Sequence, residues 1–532
     1  MGNFYRLDAA SQRAQSFKNL LKYVQEIVYP YHPAFRRACK AAGVDPLKMR
    51  TYEDFQNLPI MTKQEYRAEP LAYILQPKFP GKTPLYETQP IEKKFLLKYA
   101  AQAVFNWPKV QSGLFRHQSL KEKISQRACR EWFPIHTHAS SGSTGEPTPS
   151  VYTHWDLNKI LPELAASALL RADNFDPEEP HASFDQRRMS LFPGAPHLAF
   201  FQGVILKMTT GMNLFDTFGG KVIPTDRQIE IFARGKFNTI GSIPSYLVYW
   251  LRRAVELMEQ GRIEPFGDQF VGVVLGAEPI SPSMRQVIHD LARKLGAHKR
   301  FKIVETYGST ELKWAGMQCT EGSGIHLNPK YFFWEILDPA TKKPVRDGEP
   351  GVLTFSHIGW RGTSFIRYYT GDLIQGGFAH ETCPNCGYSF FNIRTPIARA
   401  DKDFTKIKGM LVALQELVTT IRDTKGVRNC QVILEKENND EFGRDLLIVR
   451  VLPEAGVNRD QLAASIKNSV KASTEVTPDN IIFENDPVAF ETELFARTGI
   501  KADYVVERRG VAPAAVAPAT PLRPVAAPSA RV

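Results

Sequence analysis

From about Met189 onward, short apolar runs alternate with stretches whose apolar residues recur at helical spacing, and this alternation restricts the fold more than any other feature. Phe270 to Leu275 (FVGVVL) and Phe301 to Val304 read as strands, and Met284 to Leu295 between them reads as a helix. Such alternation predicts an α/β architecture with largely buried strands. Ahead of it, residues 11 to 29 carry Phe17, Leu20, Leu21, Val24, Ile27 and Val28 at helical spacing, and the pattern stops at Tyr29, before Pro30 and Pro33. After about Ala400 the rhythm changes. Leu411 to Ile421 reads as a helix, Asn429 to Leu434 and Leu446 to Val451 as strands, and Arg459 to Ala472 as a helix, which together make a compact α+β unit. Four parts are therefore expected: a mainly helical N-terminal region of the large domain over 1–130, an α/β core over 131–399, a small C-terminal α+β domain over 400–510, and an Ala/Pro-rich tail over 511–532 that has almost nothing to bury and should be disordered.

Composition narrows the class. A chain of 532 residues, 43% hydrophobic and 23% charged, has globular proportions and room for two or more packed units. No apolar run approaches the roughly 20 residues that a membrane helix needs, and the N-terminus MGNFYRLDAASQRAQSFKNL lacks the apolar centre of a signal peptide. A soluble, cytoplasmic chain without a membrane span is the expectation. Of the six cysteines only Cys383 and Cys386 stand close together, which does not describe a disulfide framework and fits a reducing compartment. The formal charge of +11 suits a polyanionic ligand. Because the basic residues are scattered rather than clustered beside aromatics, nucleic acid is not an expected partner.

The most informative segment is Ser140 to Thr148, SSGSTGEPT. Two glycines free the backbone to curl around phosphate, and the hydroxyls of Ser140, Ser141, Ser143 and Thr144 supply uncharged donors. No Gly-Lys-Ser/Thr closes the loop, so it is not a Walker loop. Three further segments follow at wide spacing: GAEPIS at Gly276 to Ser281, ETYGSTEL at Glu305 to Leu312 and RYYTGDL at Arg367 to Leu373. Each begins shortly after a strand-like run, where α/β sheets build ligand sites from loops. A Tyr can stack on a purine, a Thr hydroxyl and a Glu carboxylate can hold phosphate oxygen and magnesium, and an Asp can accept from both ribose hydroxyls. Any one of these is a common turn; the ordered set is not.

With these segments in this order, the chain resembles the adenylate-forming superfamily of acyl-CoA synthetases, and within it the phenylacetate-CoA ligase group, from about His138 to Arg509. The resemblance implies a large N-terminal α/β domain of the adenylate-forming type plus a small, mobile C-terminal α+β domain, with 131–399 binding nucleotide and acyl group. It implies that Ser140, Ser141, Gly142, Ser143, Thr144 and Gly145 close over the ATP phosphates, and that Gly276, Ala277, Glu278 and Pro279 contact adenine. Tyr307, followed by Gly308 and Ser309, stacks on it, Thr310 holds the α-phosphate, Glu311 the magnesium ion and Asp372 the ribose. One departure is plain: Glu146 stands where the family often has Lys. RTGIKADYVVERR at Arg497 to Arg509 resembles the family's closing segment, making Lys501 the adenylation lysine, placed to meet negative charge that grows at the α-phosphate in the transition state. RADKDFTKIKG at Arg399 to Gly409 resembles the hinge motif, with Asp401 or Asp403 as the pivot about which the small domain moves between two half-reactions. ATP, magnesium and coenzyme A are the implied cofactors, and a small carboxylic acid the implied substrate.

Cys383 and Cys386 form the knuckle CPNCG, and Cys319 and His326 lie at the two ends of CTEGSGIH just after YGSTE. A closed Cys3His set suits a structural zinc, with His380 as an alternative to His326. Pro193 to Gly203 (PGAPHLAFFQG) and Ser242 to Tyr246 (SIPSY) fall where the family lines its acyl pocket. His138, His197, Ser242 and Tyr246 are the candidate pocket residues, and an aromatic or other apolar acid would fit them. Two other readings stay open: adenylation with transfer to a carrier protein, an amine or a cofactor instead of coenzyme A, and a zinc-containing binding protein that has lost catalysis. The oligomeric state is open as well, a homodimer included.

Overall fold

The computed structural model describes residues 3–80, 85–105, 119–139, 147–173, 187–192, 194, 198–210, 213–220, 222–399, 404–408, 410–440, 443–496 and 502–509. The chain divides into two compact units, Met1–Lys402 with Phe495–Ala502, and Asp403–Leu494 with Asp503–Val532. Among the described residues no helix is long and apolar enough to cross a membrane.

The N-terminal region is helical, but its first helical path does not stop at Tyr29. Ala9–Tyr23 runs into a π turn over Val24–Val28 and then into Tyr29–Tyr31 and Pro33–Ala41. The wider turn starts a new register in which Pro30 sits in a first turn, where an N–H has no intrahelical partner to lose. His32 caps the next helix. Its Nδ1 accepts from Phe35 N at 3.0 Å while Nε2 donates to Ser364 O at 2.8 Å, and burial pushes its pKa down to about 4, keeping the ring neutral.

Strands β1 (Pro134–Ala139) and β2 (Pro149–Thr153) form an antiparallel ribbon. Then β3 (Arg187–Ser190), β4 (Asn213–Asp216), β5 (Thr239–Ser242), β6 (Gly272–Leu275) and β7 (Lys302–Gly308) pair in parallel in the order β4-β3-β5-β6-β7. Helix Pro244–Glu259 connects β5 to β6 and helix Pro282–Lys294 connects β6 to β7. Ser281, the last residue of GAEPIS, caps the second of these by accepting from Met284 N at 3.2 Å, with Pro282 opening it. Beyond β7 the sheet turns antiparallel, through β8 (Ala315–Met317) and β9 (Ile325–Leu327).

A second, antiparallel sheet is built from β10 (Phe332–Leu337), β11 (Gly351–His357) and β12 (Tyr368–Ile374). The hairpin β13 (Phe378–Thr382) and β14 (Ser389–Ile393) returns to pair with β9, completing nine strands in the first sheet, and β15 (Ile397–Arg399) pairs with β12. The N-terminal helices bury Leu20, Val24, Tyr31 and Phe35 in the same apolar core as the rings of β10 and β11.

The second unit opens with a hairpin, not with the helix expected from Leu411. Strands β16 (Phe404–Ile407) and β17 (Met410–Ala413) pair around Lys408, whose φ of +52° suits a tight turn, and the helix begins afterwards at Leu414–Asp423. A short apolar run reads equally as strand or helix, and here a pairing partner decided it. Strands β18 (Val427–Lys436), β19 (Asp445–Pro453), β20 (Asn480–Phe483) and β21 (Val505–Glu507) make a sheet of order β20-β19-β18-β21, with helix Arg459–Thr474 packed beside it through Leu462, Ile466 and Val470. The expected strands and the Arg459 helix are all present.

One buried ion pair fastens the N-terminal region to the second sheet. Arg367 and Glu335 have side chains 3% and 0% exposed and meet at 3.2 Å; Arg367 also donates to Leu58 O at 3.0 Å, and Tyr52 donates its hydroxyl to Glu335 at 3.0 Å. Replacing Arg367 with Met leaves the Glu335 charge buried without its partner, so the first unit should lose about 3–5 kcal/mol of stability. Urea unfolding followed by tryptophan fluorescence reads this directly.

Candidate functional site

The ends of β5, β6 and β7 lie side by side, and β7 is the strand at which the sheet changes from parallel to antiparallel pairing. Ligands of α/β sheets collect at the C-terminal ends of such strands. Here those ends carry Ser242, then Gly276 to Pro279, then Tyr307 to Glu311. Thr306 donates its hydroxyl to Leu275 O at 3.1 Å, and a Cβ on Gly276 would stand 2.3 Å from that hydroxyl, so only glycine lets the two strand ends approach. Ala277 follows with φ +71°, an uncommon conformation for a residue with a Cβ. It and Pro279 are exposed, and Glu278 accepts from Ser245 N at 3.2 Å, which ties the GAEP turn to the start of the helix after β5.

Tyr307 and Asp372, placed in one site by the sequence, come together although they belong to different sheets. The Tyr307 hydroxyl donates to Asp372 Oδ2 at 2.6 Å. Asp372 is held from behind, its N–H donating to Thr370 Oγ1 at 3.0 Å while that hydroxyl donates to Leu353 O at 2.7 Å. After Gly308, Ser309 accepts from Leu312 N at 3.1 Å and shapes the turn that carries Thr310 and Glu311. Glu311 is 3% exposed. Its Oε1 accepts from the Tyr368 hydroxyl at 3.2 Å and faces the ammonium of Lys63 at 3.1 Å. Burial raises the Tyr368 pKa well above its ordinary value, so it stays a donor. Helix Lys63–Ala68, which brings Lys63, also places the Tyr66 hydroxyl on Pro149 O. Nothing in the local pattern around Lys63 marks it; the signal is purely tertiary.

His138 is 1% exposed and lies among rings, 5.1 Å from Tyr152 and 6.0 Å from Phe201, with His136 stacked on Phe201 at 4.0 Å. Ser242 is buried and donates to Ile243 O at 3.1 Å. Tyr246 is buried as well, its hydroxyl shared with Thr225 at 3.0 Å and Gln228 at 3.2 Å on helix Thr225–Arg234. Ser140, Ser141, Gly142, Ser143, Thr144, Gly145, Glu146, His197, Asp401, Asp403 and Lys501 lie outside the described residues.

The cysteine and histidine segments converge. Cys319, His326, Cys383 and Cys386 are all buried, and their ligand atoms lie within 4.8 Å of one another. Cys319 Sγ is 3.8 Å from Cys383 Sγ, and Cys386 Sγ is 3.5 Å from His326 Nε2. His326 Nδ1 donates to Gly324 O at 3.0 Å, which leaves Nε2 to face the thiols, the arrangement a metal-ligating imidazole uses. The knuckle sits at the tip of the β13–β14 hairpin, where Gly387, φ +72°, donates to Cys383 O at 2.9 Å. The hydrogen bond from Cys386 holds Cys319 toward the thiolate, and the same bond pushes the Cys386 thiol up. His380 is not part of this group: its Nε2 meets Gln12 Oε1 at 3.0 Å, and burial pushes its pKa down to about 4. Three sulfurs and one imidazole nitrogen converging in a buried pocket fit a closed tetrahedral metal site.

A scan against models of known protein families gives no match. Among curated proteins the chain is similar to a phenylacetate-coenzyme A ligase of Thermus thermophilus, 26% identical over 484 residues that span 87% of this chain and 90% of that one. It is similar also to a phenylacetate-coenzyme A ligase of Aromatoleum evansii, 26% identical over 527 residues, 96% of this chain and 98% of that one. Among solved structures, a 2-hydroxyisobutyryl-CoA ligase in the postadenylation state, in complex with R3-HIB-AMP, superposes with a TM-score of 0.65 over 95% of this chain and 92% of that chain; at 16% identity this likeness concerns the fold. The chain thus shares the fold of a 2-hydroxyisobutyryl-CoA ligase and is similar in sequence, along most of its length, to phenylacetate-coenzyme A ligases.

Proposed function

We propose that this protein is an acid–thiol ligase that activates a carboxylic acid with ATP and passes the acyl group to coenzyme A. In the first half-reaction a carboxylate oxygen attacks the α-phosphorus of ATP, an acyl-AMP forms and pyrophosphate leaves. In the second the thiol of coenzyme A attacks the acyl carbonyl and AMP leaves. The observation that carries the reading is the Tyr307–Asp372 hydrogen bond, which sets a ring for adenine beside a carboxylate for ribose at the end of the switch strand. Gly276 to Pro279 would border the base, Thr310 the α-phosphate, and Ser140 to Gly145 the phosphate tail. Lys501 would stabilise charge growing on the α-phosphate.

Glu311 would hold magnesium, which when bound supplies positive charge to the phosphate oxygens. The fit is supported by Glu311 already facing a cation, Lys63, in a largely water-excluded position. The rings around His138 support an aromatic or other apolar acid. Cys319, His326, Cys383 and Cys386 would hold a zinc ion whose role is structural, since no ligand position stays open in a four-donor set. The division of the chain after Lys402 supports reading 131–399 as the nucleotide- and acyl-binding core and 400–510 as the mobile domain, with Asp401 or Asp403 as its hinge. Such an enzyme works where ATP and coenzyme A are supplied, in the cytoplasm.

Three measurements test this. AMP release from ATP, followed over a panel of carboxylic acids with and without coenzyme A, should be acid-dependent and rise when coenzyme A is added; acid-dependent adenylation that coenzyme A fails to stimulate would move the acceptor to a carrier protein or an amine. Tyr307→Phe removes one hydrogen bond to a carboxylate and should raise the KM for ATP by about two- to tenfold with a smaller change in kcat. Metal analysis of the purified protein should find stoichiometric zinc, lost in Cys383→Ser together with a lower melting temperature, and an absence of zinc in the unmodified protein would end that assignment.

A further inference from the structure

The turn that carries Thr310 and Glu311 ends on a lysine whose side chain runs inward. Lys313 is 0% exposed and has φ +64°, and its N–H donates back to Ser309 O at 3.1 Å, closing the turn. Its ammonium donates to Val151 O at 2.8 Å and Thr363 O at 3.2 Å and meets Asp156 Oδ2 at 3.4 Å, so its three donors face three acceptors. The rings of Tyr152 and Trp360 stand over the charge at 4.3 and 4.5 Å, and the Tyr152 hydroxyl donates to the Lys313 carbonyl at 3.1 Å.

A buried ammonium is costly, and a methionine would fill the same space without that penalty. Burial accordingly pushes the Lys313 pKa down to about 8. What the charge accomplishes follows from where its acceptors lie. Val151 is on β2, the strand that follows the Ser140 to Thr148 segment. Thr363 lies on the stretch that leads into β12 and Asp372. Asp156 accepts from Thr153 N at 3.1 Å on the first of these stretches, and from Arg361 N at 2.8 Å and Gly362 N at 2.9 Å on the second. The backbones approach so closely that a Cβ on Gly362 would stand 2.0 Å from Val151 O. Carboxylate and ammonium therefore grip the same two stretches, and the lysine adds the third, its own turn.

We propose that Lys313 is a positioning residue for the adenylation half-reaction: its ammonium sets the exit of the Ser/Thr/Gly loop, the Thr310–Glu311 turn and the approach to Asp372 in register with one another. The assignment rests on the ligase reading above. It differs from a core-filling role in a measurable way, because it concerns the registry of the ATP-binding segments and not the stability of the unit.

The test uses the full chain and acid-dependent ATP–pyrophosphate exchange with an aromatic acid such as phenylacetate or the best acid of the panel. If the unmodified enzyme shows no exchange with any acid, the ligase reading fails and this assignment falls with it. Given exchange, the double variant Lys313→Met/Asp156→Asn removes both charges and leaves no carboxylate unpaired. It should melt below the parent, since one amide NH2 then faces a backbone donor, but where it stays folded at the assay temperature its KM for ATP should rise about tenfold, with the KM for the acid changed far less. A folded double variant whose KM for ATP stays within about twofold of the parent overturns the assignment while leaving the ligase reading intact. Should that variant not fold, Tyr152→Phe decides, since it keeps both charges and removes only the bond to the Lys313 carbonyl. An increase of about threefold in the KM for ATP at an unchanged melting temperature supports the assignment, and an unchanged KM overturns it.

Discussion

The contact of Lys313 with Asp156 is the interaction around which the large unit is arranged. Both side chains are fully buried, and between them they bind backbone groups of the β1–β2 ribbon and of the stretch before β12, while Lys313 itself belongs to the turn after β7. These belong to three separate pieces of sheet, which apolar packing alone would leave free to slide by fractions of an ångström. Apolar contacts are not directional, whereas an ammonium with three acceptors and a carboxylate with four donors allow only one arrangement. The rings of Tyr152 and Trp360 complete the cage, and Arg361, stacked between Trp132 and Trp155 at 4.9 Å from each, extends it to Glu131 and the helices before β1.

The antiparallel end of the nine-stranded sheet has a different kind of anchor. There β9 and the β13–β14 hairpin bring three sulfurs and one imidazole to a common point. The segment between Cys319 and His326 also reaches the parallel half: Glu321 accepts from Ile303 N at 3.0 Å and from Arg285 at 2.7 Å, and Gln318 pairs with the backbone of Glu305. Strand β7, which carries Tyr307, is thus held on one flank by β6 and on the other by β8, which leads into the segment bearing Cys319 and His326.

Much of this could be read in the chain. The short apolar runs around Phe270 and Phe301 became the parallel strands β6 and β7, and the helical spacing from Met284 became helix Pro282–Lys294. Of the four separated motifs, ETYGSTEL and RYYTGDL meet through Tyr307 and Asp372, as their residue chemistry suggested. The knuckle CPNCG and the pair Cys319 and His326 were visible as donors. Where the reading departed from the structure, the cause was a choice between local conformations of similar energy. The helical path continues past Tyr29 after a π turn over Val24–Val28, and Met410 to Ala413 becomes a strand because Phe404 to Ile407 pairs with it.

The sequence by itself determined the layer type, the order of the candidate site segments and the three cysteines of the Cys/His cluster, since periodicity and residue chemistry are local properties. The tertiary structure alone decided that His326 and not His380 joins the cysteines, that Tyr307 meets Asp372 across two sheets, and that Lys63 and Lys313 turn toward Glu311 and Asp156. Those choices depend on which surfaces are brought together across separations of tens to hundreds of residues. A lysine bound for the interior carries the same local signature as one bound for solvent, and only the acceptors waiting at its far end distinguish them.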